Sequence, residues 1–384
     1  MVEHRPEEAG VAGSSPAPST SMSQKFFAWA HKYERHLSAL AMIAGFIADN
    51  LLFERVDIWQ TQVWLASYAL ACFITIPWLH SIEARVSRGR SRPSWRSILP
   101  FITQFALGGF WSAFIIFYGR SAVLSASWPF LLLLLLILIG NEYFHQYHDR
   151  LVFTSVLFFF ALYSFAIFEV PIFTGNIGTQ TFLESTLVAI CLFSLFTILL
   201  RILGRERFLS DIWRVRIGAL IVLVIINAFY FTNVLPPLPL SAEDAGIYKT
   251  VSHSSGQYIA ETELGNDSWQ IRYLGFAPTL HVIQGDTLSA YSSVFTPITL
   301  NTSIVHRWQW YDKTSKKWIT EAVIAYPISG GRDGGYRGYS TAHIIDAGKW
   351  RVDVETIDGR TIARLPFTVE MVSTPPQETQ KTLN

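Results

Sequence analysis

The stretch SWPFLLLLLLILIG, residues 127–140, contains no charged side chain and six consecutive leucines. It completes an apolar run that begins at residue 121. A helix needs about 20 mostly apolar residues to cross a hydrocarbon core of roughly 30 Å. Residues 121–140 are therefore predicted to form a membrane-spanning helix.

Six further segments on either side have the same apolar character and are also predicted to span a membrane. They are residues 37–53, 59–80, 98–118, 151–173, 182–200 and 217–235. The first is the weakest, because Asp49 and Asn50 lie near its end. We therefore expect an α-helical integral membrane bundle of about seven spans within residues 25–235.

Charged residues are distributed unevenly along the chain, although the formal net charge is only +1. Residues 98–140 contain a single charged side chain, Arg120, whereas residues 241–370 contain 26. The second density is typical of a soluble domain. The distribution excludes a purely soluble protein, a disordered chain and a fibrous repeat. The near-zero net charge argues against nucleic acid as a partner.

The basic residues between the predicted spans lie mostly on one side of the membrane. Residues 81–97 and 201–216 contain five arginines each, and the full count is 14 basic residues on this side against 2 on the other. Because basic loops stay in the cytoplasm, the N-terminus is predicted to be cytoplasmic and the C-terminal domain extracytoplasmic. Residues 1–24, rich in Pro, Ser, Ala and Glu, are predicted to be a disordered cytoplasmic tail.

The chain beyond the last predicted span divides into three parts. Residues 236–246 begin with Pro-Pro-Leu-Pro and predict a stiff exit linker. Residues 247–372 have the composition of a soluble domain and contain no cysteine, so no disulfide is expected in it. Residues 373–384 are predicted to be a flexible tail.

The pattern of apolar residues in the soluble part indicates short strands. Trp350, Val352 and Val354 alternate with charged residues, and the same period returns over 363–369 after the turn signal Asp358-Gly359. Further candidate strands are 247–252, 257–264, 269–274, 287–296, 303–311 and 318–327. Eight or so short strands without a helical period predict an all-β, immunoglobulin-like sandwich.

Several local motifs in this domain are distinctive as a set. They are Val294-Phe295-Thr296-Pro297, His306-Arg307-Trp308-Gln309-Trp310, the Arg-Gly-Tyr-Ser run ending at Ser340, Gly348-Lys349-Trp350-Arg351-Val352-Asp353-Val354, and Asp358-Gly359-Arg360. With them, residues 291–369 resemble the bacterial family called Domain of Unknown Function 2914. The resemblance implies a multi-span protein of the bacterial inner (cytoplasmic) membrane with this module outside the cytoplasm. It implies no activity, so no catalytic residue is carried over.

Two groups of side chains in the domain are candidates for ligand binding. His306, Trp308 and Trp310 share one face of a predicted strand, and their rings suit either a sugar or partner surface or the sandwich core, with the core favoured. The second group lies in and after the glycine-rich run 330–340. It consists of Arg332, Tyr336, Arg337 and Tyr339. Glycines let a ligand approach the backbone and arginines grip carboxylate or phosphate, although a plain hairpin loop would show the same residues.

Three carboxylates fall in or near predicted spans: Asp49, Glu169 and Glu184. An ionisable group in a span indicates a functional site by default, because its burial is costly. All three lie toward span ends, which favours contact with water or with a partner such as Arg55. The alternative is a transporter or membrane enzyme acting within the bundle, with the sandwich as an accessory domain.

The sequence contains no motif of a nucleophilic enzyme, a nucleotide-binding loop or a zinc protease. Glu142, His145, His148 and Asp149 form only half of a helical metal motif, so neither a metal nor another cofactor is predicted. The expected partners are the lipid bilayer and an envelope polymer or envelope protein. The sequence therefore predicts a membrane protein whose sandwich is a ligand- or protein-binding module, and it leaves the oligomeric state open.

Overall fold

The fold was analysed in a computed structural model of the full chain. The residues that the structure describes are 46–47, 49–50, 58–91, 93–121, 124–143, 150–203, 205–237, 239–254, 257–263, 277–296, 301–329, 335–374 and 376–383. Most of the predicted first span, the predicted strand 269–274 and three of the four residues of the half metal motif lie outside these ranges.

Six long helices occupy the described part of the N-terminal half. They are α1 (Trp59–Val86), α2 (Ile98–Ser121), α3 (Leu124–Tyr143), α4 (Leu151–Thr174), α5 (Thr179–Leu203) and α6 (Arg205–Phe231). Each coincides with one of the predicted spans from the second to the seventh. A short 3-10 helix, Ser94–Ser97, leads into α2.

Five helices of the described chain are long and apolar enough to cross a membrane, so the predicted seven spans are confirmed only in part. They are α1, α2, α4, α5 and the Leu209–Phe231 part of α6. The sixth helix, α3, has the roughly 20 residues that a span needs, and its side chains are described over the apolar stretch Ser127–Asn141. Its last residue, Asn141, donates a hydrogen bond to the Gln104 carbonyl on α2 at 3.1 Å.

The helices pack around α4, which is the most buried of the five, whereas α6 is the most exposed. Aromatic rings fill the centre: Phe114 of α2 stacks on Phe168 of α4 with their centroids 5.6 Å apart. Hydrogen bonds between side chains also link the described helices. The Tyr163 hydroxyl pairs with Thr186 at 2.6 Å and accepts a hydrogen bond from Asn227 at 3.0 Å, which connects α4, α5 and α6. Packing contacts and occasional hydrogen bonds are what hold helices together in lipid.

The described C-terminal part is all-β, as predicted, with eleven strands. They are β1 (Ser241–Tyr248), β2 (Thr250–Ser254), β3 (Gln257–Glu263), β4 (Thr279–Val282), β5 (Thr287–Phe295), β6 (Asn301–Asp312), β7 (Lys317–Ser329), β8 (Tyr336–His343), β9 (Gly348–Thr356), β10 (Thr361–Met371) and β11 (Glu378–Leu383). The strand orders are β1-β5-β8, β4-β10-β9-β6-β7 and β11-β3-β2.

The first two sheets enclose one core and so form a two-layer sandwich. Leu288 and Ala342 from the three-stranded sheet pack with Trp308, Trp350 and Phe367 from the five-stranded sheet. The predicted turn at Asp358-Gly359 joins β9 to β10, which pair antiparallel, and Gly359 has a φ of +80°, which favours glycine.

The borders of the domain differ from those drawn on the sequence. β1 begins at Ser241, inside the predicted exit linker, and pairs with β5. β11 lies inside the predicted flexible tail and pairs antiparallel with β3. Ladder hydrogen bonds come from the backbone, and only Leu383 of β11 enters an apolar cluster. The polar sequence of this strand therefore gave no apolar period to detect.

Candidate functional site

The outer face of the five-stranded sheet carries a cluster of five charged side chains and one amide, here called the arginine cluster. Its members are Arg307, Gln309, Arg351, Asp353, Glu355 and Arg364. Because side chains alternate along a strand, burying Trp350, Val352 and Val354 of β9 turns the charged residues between them outward. The register then places Asp353 between Arg307 on β6 and Arg364 on β10.

Ion pairs connect the cluster across three strands. Arg364 donates from Nε and Nη2 to the two carboxylate oxygens of Asp353, at 2.7 and 2.8 Å. Arg307 donates from Nε to Glu355 at 2.9 Å. Such charge-assisted pairs fix the orientation of a guanidinium as well as its position. Two of the three arginines are therefore held by carboxylates beneath them.

The third arginine is held differently. Arg351 donates from Nε to the Gln309 side-chain oxygen at 2.8 Å, and its guanidinium lies 4.3 Å from the centre of the Trp318 ring. Its Nε is also 3.7 Å from Asp353. A cation over an indole ring is a favourable arrangement that leaves most guanidinium donors unused.

The acidic side chains of the cluster are more buried than the arginines. Asp353 and Glu355 are buried, whereas the three arginines are partly exposed. Burial raises the pKa of Glu355 above its ordinary value, and the hydrogen bond to Asp353 raises that of Arg364. With both acids ionised, three guanidinium groups face two carboxylates. The exposed side of the cluster is therefore positive.

The arginine cluster forms one wall of a polar pocket of about 540 Å³. Thr320 and Thr361 supply hydroxyl groups to the same wall, while Thr232 and Asn233 approach from the end of α6. Hydroxyl and amide groups around a set of oriented arginines suit a ligand that combines negative charge with hydroxyls. The position beside α6 places the pocket where the sandwich meets the helices.

Arg360, at the start of β10, links the sandwich to those helices. Its Nη2 donates to the carbonyl oxygens of Tyr230 and Leu235, both at 3.2 Å, and its guanidinium lies 3.6 Å from the centre of the Tyr230 ring. The Tyr230 ring in turn stacks on Phe182 of α5. Carbonyls at a helix C-terminus lack partners within the helix and attract cations. Arg360 therefore caps α6 from the neighbouring domain, and burial lowers its pKa.

The aromatic strand face predicted from the sequence belongs mainly to the interior. His306 and Trp308 are fully buried, and Trp310 packs partly buried against the core. The two His306 ring nitrogens lie 2.8 Å from the hydroxyls of Ser292 and Ser340, and the indole of Trp308 donates to Ser340 at 2.9 Å. His306 and Trp308 therefore belong to the sandwich core and expose no surface to a ligand.

The glycine-rich candidate site is described only in part. Arg332 lies outside the described residues. Tyr336, Arg337 and Tyr339 lie on β8 in the three-stranded sheet, so they do not join the arginine cluster. Tyr336 packs against an apolar cluster, Arg337 is half-buried and Tyr339 is exposed.

The three carboxylates of the helical part lie apart from the pocket. Glu169 on α4 is buried, and its Oε1 has no hydrogen-bond partner among the described residues. Glu184 accepts a hydrogen bond from Gln180 at 3.0 Å on the exposed side of α5. Asp49 is half-buried, and Arg55, its predicted partner, lies outside the described ranges.

Sequence reasoning did not select the arginine cluster, although Arg307, Gln309, Arg351 and Asp353 stand within the family-like motifs. A signal was present: the polar positions of β9 are all charged and include both signs. What the sequence lacked was the register that sets β6, β9 and β10 side by side. The pocket also contains Thr232 and Asn233 from the end of α6, and these residues reach it only because the sandwich docks against the helices.

The described chain thus combines apolar helices with a β-sandwich that carries a polar pocket. Residues 301–369 match the family described as "Protein of unknown function (DUF2914)", which confirms the resemblance seen in the sequence. The match contains every member of the arginine cluster. No match was found among curated proteins.

Among solved structures, the chain is similar to a Pseudomonas fluorescens alkylpurine DNA glycosylase, AlkC, bound to DNA containing an abasic site analog. The identity is 12%, over 80% of this chain and 82% of that chain, with a TM-score of 0.22. A TM-score this low carries no argument about fold or function.

Proposed function

We propose that this chain is a multi-pass protein of the bacterial inner membrane whose sandwich binds an anionic, hydroxyl-rich group of an envelope polymer or envelope protein. The observation that supports this most directly is the arginine cluster, in which buried carboxylates orient guanidinium groups toward a polar pocket. In the proposed topology the sandwich is extracytoplasmic. The pocket then lies close to the outer membrane–water boundary.

The proposed ligand class follows from the chemistry of the pocket. Each guanidinium carries five N–H donors, and the hydrogen bonds in the cluster use one from Arg307, one from Arg351 and two from Arg364. The remaining donors match carboxylate, sulfate or phosphate oxygens. The threonine hydroxyls add partners for neutral hydroxyl groups, such as those of a sugar.

Polygalacturonate, an anionic and hydroxyl-rich polymer, is a direct probe of this site, with neutral dextran as its comparison. We expect full-length protein immobilised in detergent to bind polygalacturonate and not dextran in biolayer interferometry. Replacing Arg307 by Gln removes a charge-assisted contact worth about 1.5–3 kcal/mol, so affinity should fall about tenfold or more. Exchanging Lys313, exposed in the turn between β6 and β7, for Gln should leave it unchanged.

A second pair of variants separates this pocket from the glycine-rich candidate. If R332Q/R337Q abolishes binding while R307Q does not, the ligand site lies on the β8 side and the pocket proposal fails. Equal binding of dextran, or an equal loss in K313Q, would also contradict it. Thermal unfolding of each variant in the same detergent separates lost binding from lost folding, because Arg307 also neutralises the buried Glu355.

Transport or catalysis among the helices has one supporting observation, the buried Glu169 with its unpaired oxygen. Among the described residues, the large cavity between α3, α4 and α6 is not lined by Glu169. Glu169 is also absent from the described residues that line the polar pocket. The binding function is therefore the one proposed.

A further inference from the structure

A second cavity lies among the helices, at the opposite end of the bundle from the sandwich. It has a volume of about 760 Å³ and is open to one side between α3 on one wall and the pair α4 and α6 on the other. Its described lining is mostly apolar and includes Leu133 and Ile137 of α3, Val156 and Phe160 of α4, and Ile225 and Ile226 of α6. We call this cavity the apolar groove.

Helix packing explains why the groove exists. α4 and α6 approach closely at Gly218, where a Cβ would lie only 2.3 Å from a methyl carbon of Val156. α3 packs mainly against α2 instead. The close pair α4–α6 therefore forms one wall, and the space beside α3 stays open. Ile225, on this wall, is 39% exposed.

Among the described residues, the charged ones that line the groove lie together at one end. Arg150 directly precedes α4, and Arg214 and Asp211 lie near the start of α6. Arg214 donates to Asp211 at 2.9 Å and is largely exposed, as is Arg150. The described lining residues at this end are two arginines and one carboxylate, an excess of one positive charge. The proposed topology places it at the cytoplasmic surface.

The length of the groove matches one leaflet of a bilayer. Arg214 and Ile226 are twelve positions apart on α6, which at 1.5 Å per residue is about 18 Å. Half of a hydrocarbon core is roughly 15 Å. A cationic end at the surface followed by an apolar channel of this depth matches a phosphate headgroup followed by an acyl chain.

We propose that the apolar groove is a binding site for one anionic phospholipid of the cytoplasmic leaflet. The headgroup phosphate binds Arg150 and Arg214, and an acyl chain lies between α3 and the α4–α6 pair. The inference shares the proposed topology with the proposed function, but the lipid site and the sandwich site can fail separately because they share no residue.

Native mass spectrometry of the full-length protein, offered equal amounts of phosphatidylglycerol and phosphatidylcholine, tests the headgroup. We expect one phosphatidylglycerol to be retained about tenfold more than phosphatidylcholine, and R150Q/R214Q to abolish this preference. Arg216 provides a matched control, since it is exposed on the same helix and does not line the groove. R216Q should retain the preference, and D211N, which leaves Arg214 without its acid, should increase it.

A bulkier side chain tests the channel. Ile225→Trp should fill the groove and reduce retention of both lipids severalfold, while light scattering shows whether the protein keeps its oligomeric state. Equal retention of the two lipids by the wild type, or an equal loss in R216Q, would overturn the proposal. So would a dimer that dissociates in I225W with lipid retention unchanged, because a second copy would then occupy the groove.

Discussion

His306 illustrates how one residue type can suggest binding in the sequence and serve the interior in the structure. Both its ring nitrogens are satisfied by serine hydroxyls from β5 and β8, and Tyr326 completes the network through Ser292. A buried polar side chain is tolerated when its partners are present. Only the pairing of β5 with β8 and the packing of the two sheets bring these partners to His306.

The burial of His306 predicts a pH dependence of sandwich stability. Desolvation lowers the pKa of His306 to about 4, from an ordinary value near 6.5. Between these values the unfolded chain binds a proton that the native domain does not, so stability is lost as pH falls from about 6.5 toward 4. The contribution amounts to about 3 kcal/mol.

Hydrogen–deuterium exchange of β6 and β8 peptides in the full-length protein measures this effect at pH 7 and pH 4.5. After correction for intrinsic exchange, the wild type should lose more protection at low pH than His306→Gln, which cannot take up the proton. His343, exposed at the end of β8, provides the control substitution H343Q, which should keep the wild-type pH dependence. Parallel losses in H306Q and the wild type would contradict the prediction.

The β9–β10 hairpin is the element in which sequence prediction and structure agree most closely, and it also shows where the prediction ends. Its alternation and its Asp-Gly turn follow from local chemistry. The docking of the following residue, Arg360, against the carbonyls of Tyr230 and Leu235 joins positions that are 130 and 125 residues apart. No local pattern encodes such a contact.

Replacing Arg360 by Ala should undock the hairpin from α6 without unfolding the sandwich. The change removes two charge-assisted hydrogen bonds and a cation–π contact, a loss of about 3 kcal/mol or more. Exchange should therefore accelerate in peptides covering residues 228–237 and 356–361. Lys349→Ala, at an exposed position of β9, should leave both peptides protected. If β6 is deprotected as well in R360A, Arg360 stabilises the sandwich itself rather than its docking.

Across the whole molecule, composition predicted an apolar helical part and a soluble β part, but not the residues at which each begins and ends. A helix is visible in sequence as a continuous apolar run, and all six described helices coincide with such runs. The predicted first run lies mostly outside the described residues, so the agreement concerns the second to the seventh runs. The third sheet joins β11 to β3, more than a hundred residues earlier, through backbone hydrogen bonds, which leave no side-chain period.

The arginine cluster and the apolar groove occupy opposite ends of the helices, so the sidedness of the chain determines what each can meet. The 14-to-2 bias of basic residues predicts that the loop 81–97 is cytoplasmic. Four predicted spans separate it from the loop 201–216, an even number that keeps both on one side. In the proposed topology, the helix α6 then carries the chain across the membrane, which predicts that the sandwich lies outside the cytoplasm.

Single cysteines test this arrangement in spheroplasts with a membrane-impermeant maleimide, in a background carrying Cys72→Ala and Cys191→Ala. Lys313→Cys, in the exposed turn between β6 and β7, should react in intact spheroplasts, whereas Arg88→Cys, in the basic loop after α1, should react only after lysis. Labelling in the reverse order would show that the topology is the inverse of the predicted one. The arginine cluster would then face cytoplasmic ligands and the groove the outer leaflet, so both binding proposals would lose the compartments assigned to them. Labelling of both positions before lysis would show an even number of crossings between them, which contradicts the predicted cytoplasmic position of the loop 81–97.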